Sequence, residues 1–197
     1  MTNKYSLDVC TQRIEELKST RRIGEHCLIV AVGNKIDLPR EVGREEAIAS
    51  FEKCGVPASH YFETSAKTCE GVKEFLEGTL RLWYEANNDH LNDFIAEPRF
   101  VDISKEQLSL KMVFIGESST GAKTSLVLRV VKNTFNEKGH PTIAAAFITH
   151  KLKVDLVQYK LDLWGLSSSM FLFCFISSLF SRFLVVVEQI LLVKNGI

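Results

Sequence analysis

Apolar residues recur along this chain either at helical spacing or as short unbroken runs, and the two patterns alternate. Leu7, Cys10, Ile14 and Leu17 mark one face of a helix. Cys27-Leu-Ile-Val-Ala-Val32 is a continuous apolar run, short enough for a strand buried on both faces of a parallel sheet. Residues 43–54 predict a second helix, with Ala47, Ile48 and Phe51 inward and Gly55 closing it. Residues 58–62 suit the next strand. Val72, Phe75, Leu76, Thr79, Leu80 and Trp83 then sit at i, i+3, i+4, i+7, i+8 and i+11, the pattern of an amphipathic helix. Residues 85–108 are polar and acidic, carry Pro98, and read as a linker.

Beyond the linker the alternation resumes. A strand is expected at 110–115, a loop at 116–123, a helix at 124–133, and strands within 142–154 and at 157–164. Such an order argues for an α/β fold in which helices flank a parallel sheet. The chain then changes character. Residues 163–181 carry no charge, Met170 to Ile176 is wholly apolar, and Phe183-Leu-Val-Val-Val187 and Ile190-Leu-Leu-Val193 continue around Arg182 and Glu188.

Composition adds mild bounds. With 197 residues and 46% apolar content, one well-packed domain is the natural size. Net charge is zero, yet residues 1–108 hold 14 Lys/Arg against 19 Asp/Glu, and 109–197 hold 10 against 5. Opposite halves would attract each other, and a basic half suits a phosphate ligand. No basic stripe suggests a nucleic-acid partner. Cys10, Cys27, Cys54, Cys69 and Cys174 are odd in number and lack CxxC spacing, so reduced thiols of a cytoplasmic protein are expected, without a zinc site or disulfide framework. The polar start gives no expectation of a signal peptide.

Three short motifs carry chemistry. Asn34-Lys35-Ile36-Asp37 follows the first predicted strand. A carboxylate at Asp37 can accept hydrogen bonds from guanine N1–H and its exocyclic amine, which adenine does not offer in that geometry. The wrong purine then leaves the carboxylate unpaired. Asn34 can tie neighbouring loops together, and the stem of Lys35 can cover the base. Glu63-Thr64-Ser65-Ala66-Lys67 lies between a predicted strand and helix, and would present the Ala66 N–H to guanine O6. Two such loops at the carboxyl ends of adjacent strands make a strong pair. The third motif, Gly116-Glu-Ser-Ser-Thr-Gly121-Ala-Lys123-Thr124-Ser125, begins 82 residues after Asn34. It approximates the glycine-rich loop whose amides cradle phosphate while Lys and Thr serve phosphate and Mg²⁺. Ala122 intrudes between Gly121 and Lys123, so the loop is one residue too long, and the alanine Cβ could crowd the backbone nest.

Together these residues resemble Rab-type small GTPases. Gly33-Asn-Lys-Ile-Asp-Leu38 and Glu63-Thr-Ser-Ala-Lys67 match that family's fourth and fifth guanine-nucleotide motifs. Gly116-Glu-Ser and Ser125-Leu-Val-Leu-Arg129 match its first motif and first helix, while Pro141-Thr-Ile-Ala-Ala-Ala-Phe147 resembles its first switch. The implied fold is P-loop NTPase-like with the motif order permuted, the guanine-reading half preceding the phosphate-binding half. Residues 1–84 resemble the back half of one G domain, 85–108 a linker, and 109–169 the front half of another, with 170–197 a hydrophobic tail. Such an order is that of the junction in a tandem Rab protein, or of a circular permutation. The implied ligands are GTP or GDP with Mg²⁺. Asn34, Lys35, Asp37, Ser65, Ala66 and Lys67 would read guanine, Gly116, Gly121, Lys123, Thr124 and Ser125 would hold phosphate, and Thr124 and Thr142 would hold the metal. The resemblance also implies a role in vesicle trafficking, Rab effectors or regulators as partners, and a place on intracellular membranes.

The departures from the family weaken the expected chemistry. The family's third strand ends Trp-Asp-Thr-Ala-Gly-Gln, whereas Trp164 is followed here by Gly165-Leu-Ser-Ser-Ser169. Gly165 then takes the Mg²⁺-supporting aspartate position and Ser169 that of the water-orienting glutamine. Asp162, within an apparent DxxG, reads as a strand residue, and Ala144 replaces the usual switch glycine. Phosphoryl transfer rests on positioning and electrostatics, so hydrolysis should be very slow or lost, and no catalytic residue is assigned. The ending Lys-Asn-Gly-Ile197 lacks the cysteines of Rab prenylation. Three readings of the tail stay open: membrane contact through 170–193, a buried strand at 183–187 replacing the family's missing fourth strand, or a segment foreign to the fold. Three functions follow: one guanine-nucleotide site closed by the two halves, a nucleotide-free interaction module, or a membrane-associated fragment. The 24-residue linker, reaching at most roughly 80 Å, permits closure.

Overall fold

Helix and strand alternate as the apolar pattern predicts. The computed structural model describes residues 4–19, 27–95, 107–116, 122–137, 146–165 and 183–189. In chain order these form α1 (Lys4–Ser19), β1 (Leu28–Gly33), α2 (Arg44–Lys53), a 3₁₀ turn (Ala58–His60), β2 (Tyr61–Glu63), α3 (Val72–Ile95), β3 (Gln107–Gly116), α4 (Ala122–Lys132), β4 (Ala146–Val154), β5 (Val157–Gly165) and β6 (Phe183–Gln189).

Local chemistry explains most boundaries. The four apolar positions of α1 are all buried, and α2 buries Ala47 and Phe51. Gly55, at φ +71, turns the chain out of α2 in the left-handed region where glycine costs least. Three expected boundaries are corrected. Residues 58–60 are a turn, closed by the His60 amide on the Pro57 carbonyl at 2.9 Å, so the strand expected at 58–62 narrows to β2. Helix α3 runs on to Ile95, into the segment expected as linker. Polar composition does not stop a helix, and no glycine or proline occurs between Gly78 and Pro98. Helix α4 begins at Ala122, two residues earlier than expected.

The strands join one sheet in the order β2-β1-β6-β3-β5-β4. All neighbours are parallel except β4 and β5, which form an antiparallel pair. Strands β1 and β3 belong to different halves of the sequence and do not pair. Between them lies β6, in register with both: Val185 stands opposite Ile29 on one side and Val113 on the other. Of the three readings of the tail, a strand within the sheet is the one seen for residues 183–189. Those seven residues lie in the middle of a sheet and cannot also belong to a membrane span. Residues 170–182 and 190–193, the rest of the segment considered for membrane contact, lie outside the described residues. Among the described residues no helix is long and apolar enough to cross a membrane.

Alternation along the strands divides the core into two. Leu28, Val30 and Val32 of β1 face the same side as Leu110, Met112 and Phe114 of β3, and are covered by α3 and α4 through Phe75, Leu80, Trp83 and Leu126. Ala31 of β1 and Val113 and Ile115 of β3 face the other side, against α1 and α2. Each core draws residues from both halves of the chain, so burial of apolar surface joins the halves. Two ion pairs among the described residues cross between halves, Lys67–Glu137 and Arg81–Asp155, with the cation on the acidic half and the anion on the basic one. Both are exposed, where such pairs contribute about 0–1 kcal/mol.

Candidate functional site

Parallel pairing brings the carboxyl ends of five strands to one edge. Gly33 of β1 is in register with Glu63 of β2 and Gln189 of β6, and Gly116 of β3 with Glu188. Loops that leave this edge are where an α/β sheet places a ligand, and all three motifs leave from it.

The two base-reading loops form one hydrogen-bonded frame. The Thr64 amide donates to Gly33 O at 2.7 Å, and the Ile36 amide to Thr64 O at 3.2 Å. Asn34 is fully buried, and its Oδ1 accepts from the Lys35 amide at 2.7 Å and the Ala66 amide at 3.2 Å. Lys35 adopts a left-handed φ of 64°, which starts the turn closed by the Leu38 amide on Lys35 O. At the exposed end, Asp37 Oδ1 accepts from Ser65 Oγ at 2.5 Å, and Ser65 Oγ in turn accepts from the Thr68 amide at 3.1 Å. Asn34, Lys35, Asp37, Ser65 and Ala66 are thus brought together at one edge of the sheet. Lys67 is exposed and pairs with Glu137 at 2.8 Å. The Ala66 amide meets the Asn34 oxygen in this structure, so a ligand carbonyl would share or take over that donor.

Behind this frame lies a charged cluster that the motifs do not announce. Arg40 grips Glu63 with two hydrogen bonds, at 2.7 and 2.9 Å. Arg44 reaches the same carboxylate at 3.3 Å and lies over the Tyr61 ring. Burial acts to raise the Glu63 pKa, but the two guanidinium groups outweigh it and hold the carboxyl below its usual range. The Tyr61 hydroxyl is pushed up by burial and by the Glu63 charge. The cluster ties the segment after Asp37 to β2, the strand that leads into Thr64-Ser65-Ala66.

The phosphate motif is only partly described. Gly116 ends β3, and Lys123, 8% exposed, turns its ammonium back to the Gly116 carbonyl at 3.0 Å. A buried cation at this edge suits an anionic ligand. Ala122 is buried in the first turn of α4 and Thr124 and Ser125 follow it, half-buried. Gly121, Thr142, Ala144 and Ser169 lie outside the described residues. Asp162 is a strand residue: it stands opposite Thr149, whose Oγ1 donates to its Oδ1 at 2.8 Å.

Sequence reasoning quoted Arg129 as part of a motif without giving it a role. It leaves α4 and crosses to the base-reading loop, with Nε donating to Ala66 O at 2.7 Å and Nη2 to Lys67 O at 2.9 Å. Its Nη1 donates to Asn133 O at 2.8 Å and Oδ1 at 3.1 Å. The available signal was an arginine set among Leu126, Val127, Leu128, Val130 and Val131, where a helix otherwise buries apolar surface.

Comparison with known proteins bears on the family of the chain. A sequence model of the Ras family matches residues 1–85 and 111–167, on either side of the expected linker. Among curated relatives, the GTP-binding protein YPT53 of Saccharomyces cerevisiae is 44% identical over 57 residues, 29% of this chain and 26% of the yeast protein. The chain therefore matches about a quarter of the length of that relative.

Proposed function

The chain belongs to the Ras family of small GTPases and is of the Rab type, and from that premise we propose that its two halves close on a single guanine nucleotide. The observation that carries this reading is the bonded frame of Asn34, Asp37, Ser65 and Ala66, pinned to the helix that bears Lys123 and Thr124. Asp37 would accept from N1–H and the exocyclic amine, and Ala66 would donate to O6. Lys123 would hold phosphate at the end of β3, with Gly116, Gly121 and Ser125 completing the loop. Bound Mg²⁺, held by Thr124 and Thr142, would neutralise charge on the phosphates. In this reading residues 1–84 and 109–169 are complementary halves of one G domain in permuted order, and 183–189 supplies its central strand.

Hydrolysis is proposed to be very slow or absent, because Gly165 and Ser169 replace the aspartate and glutamine of the family's third motif. A nucleotide-responsive switch without turnover would suit a trafficking protein that is controlled by exchange and by Rab effectors, in the cytoplasm or at an intracellular membrane. The second reading, an interaction module without nucleotide, is favoured by one observation. Phe147 is half-exposed and its ring lies 4.6 Å from that of Trp164, an aromatic surface near the edge strand β4.

Titration of the purified chain with fluorescent GDP in Mg²⁺, competed with GTP and with ATP, tests the first reading. Binding displaced by GTP and not by ATP supports it. A folded chain that binds neither nucleotide overturns it in favour of the second.

A further inference from the structure

We propose that Arg129 is a positioning residue for base recognition, fixing the Ala66 amide from the phosphate-binding half of the chain. The inference rests on the reading of the site as a guanine-nucleotide site. It assigns to α4 a task beyond carrying the phosphate-loop lysine.

The geometry is that of a fork closed on two successive carbonyls. Nε and Nη2 of one planar guanidinium meet Ala66 O and Lys67 O at 2.7 and 2.9 Å, so the peptide planes on either side of Lys67 are held at once. The remaining edge is fixed by Asn133, which ends α4 in the left-handed region at φ 52. Asn133 also meets Cys69 from the same loop, its Oδ1 3.7 Å from the thiol sulfur. The contact is therefore not a lone surface bond. One end of α4 is laced to residues 66–69.

Helix α4 makes this consequential. Lys123 and Arg129 are six residues apart on one 11-residue helix, an axial separation of about 9 Å. A helix of three turns buried through Leu126 and Val127 moves as a unit. Any shift at Lys123 is passed by Arg129 to the carbonyls of Ala66 and Lys67, and through the Ala66 Cα to the neighbouring peptide that carries the Ala66 N–H, itself bonded to Asn34. Ala66 is the donor that would read O6, so phosphate and base contacts are set by one rigid body. Nη1 on Asn133 O has the form of a cap on the end of α4. A capping role alone leaves Nε and Nη2 without need of the opposite half.

The test compares GDP with 2-aminopurine riboside diphosphate, which keeps the exocyclic amine and lacks O6 and the N1–H, and reads for each nucleotide the ratio of Arg129→Ala and Arg129→Lys to wild type. Positioning of the Ala66 amide matters only for a base that carries O6. Arg129→Ala should lose about tenfold or more in GDP affinity and little for the analogue. Arg129→Lys, with one ammonium unable to span both carbonyls, should fall between. Hydrogen exchange of residues 65–70 in the nucleotide-free chain should quicken in both variants while α1 is unchanged. Should Arg129→Ala fail to fold, Arg129→Lys carries the comparison. Equal losses for both nucleotides, or no loss, overturn the proposal while leaving the nucleotide site in place. A wild type that binds neither nucleotide overturns the site reading first, and this inference with it.

Discussion

Phe75 of α3 meets Phe114 of β3 edge to face, with ring centroids 6.4 Å apart. The two rings come from different halves of the sequence, and both are fully buried. We expect Phe75→Ala to cost about 3–5 kcal/mol, the usual range for emptying such a position. The shared core also predicts that neither half unfolds alone. The chain has two tryptophans, Trp83 in the first half and Trp164 in the second. Trp83→Phe and Trp164→Phe each leave one reporter, and both should show the fold lost as one unit, each probe tracking far-UV circular dichroism in its own variant. A probe that departs from circular dichroism would mean two separate folding units.

The central strand gives a second expectation. Val185 is paired on both sides, opposite Ile29 and Val113. Proline there removes an amide from the ladder and is tolerated essentially only on edge strands. Val185→Pro should lower stability by about 3 kcal/mol or more. Urea denaturation measures it, and a variant as stable as wild type would show that β6 is dispensable to the sheet.

What could be read in advance was local. The buried face of α1, the run of β1 and the two base-reading loops follow from spacing and motif within a few residues of each other. The place of β6 is different. Phe183-Leu-Val-Val-Val187 suits a buried strand or part of an apolar span equally well, and only pairing with β1 and β3, more than 65 residues away in sequence, decides between them. Arg129 and Glu63 were visible as letters of motifs, but their partners lie 63 and 23 residues away and nothing local names them. The end of α3 lies inside the acidic stretch because acidity does not stop a helix, and the absence of glycine and proline before Pro98 is the better guide.

Glu63 sets a pH dependence. Its folded pKa is lowered, so the stability it contributes is present above its unfolded value, near 4.5, and is lost as pH falls through the folded value. At neutral pH Glu63→Gln should cost roughly 1 kcal/mol, leaving Arg40 and Arg44 without their shared carboxylate. The gap between wild type and variant should close as pH falls below about 4.5. Urea midpoints of the two proteins from pH 7 to pH 3 measure this, and a gap that stays constant would remove Glu63 from the account.

Gly71 and Gly43 make a paired prediction about the base-reading loop. Gly71 has φ +67, and a Cβ there would lie 2.0 Å from the Glu63 carbonyl oxygen. Backbone cannot yield that far without moving Glu63 and Thr64, the residues that lead into Ser65 and Ala66. Gly43, before α2, has an ordinary φ of −69° and open space around its missing Cβ. Gly71→Ala should therefore lose more than about 2 kcal/mol of stability, and GDP affinity should fall with it. Gly43→Ala should be near neutral, within about 0.5 kcal/mol, because the narrower unfolded ensemble of alanine offsets its poorer fit at the N-cap of α2. Thermal melts and GDP titrations of the two variants side by side decide it. Equal behaviour would mean that the turn at Gly71 is not what holds the Ala66 amide in place. A loss confined to Gly71→Ala would tie base recognition to Gly71, a residue outside every motif in the chain.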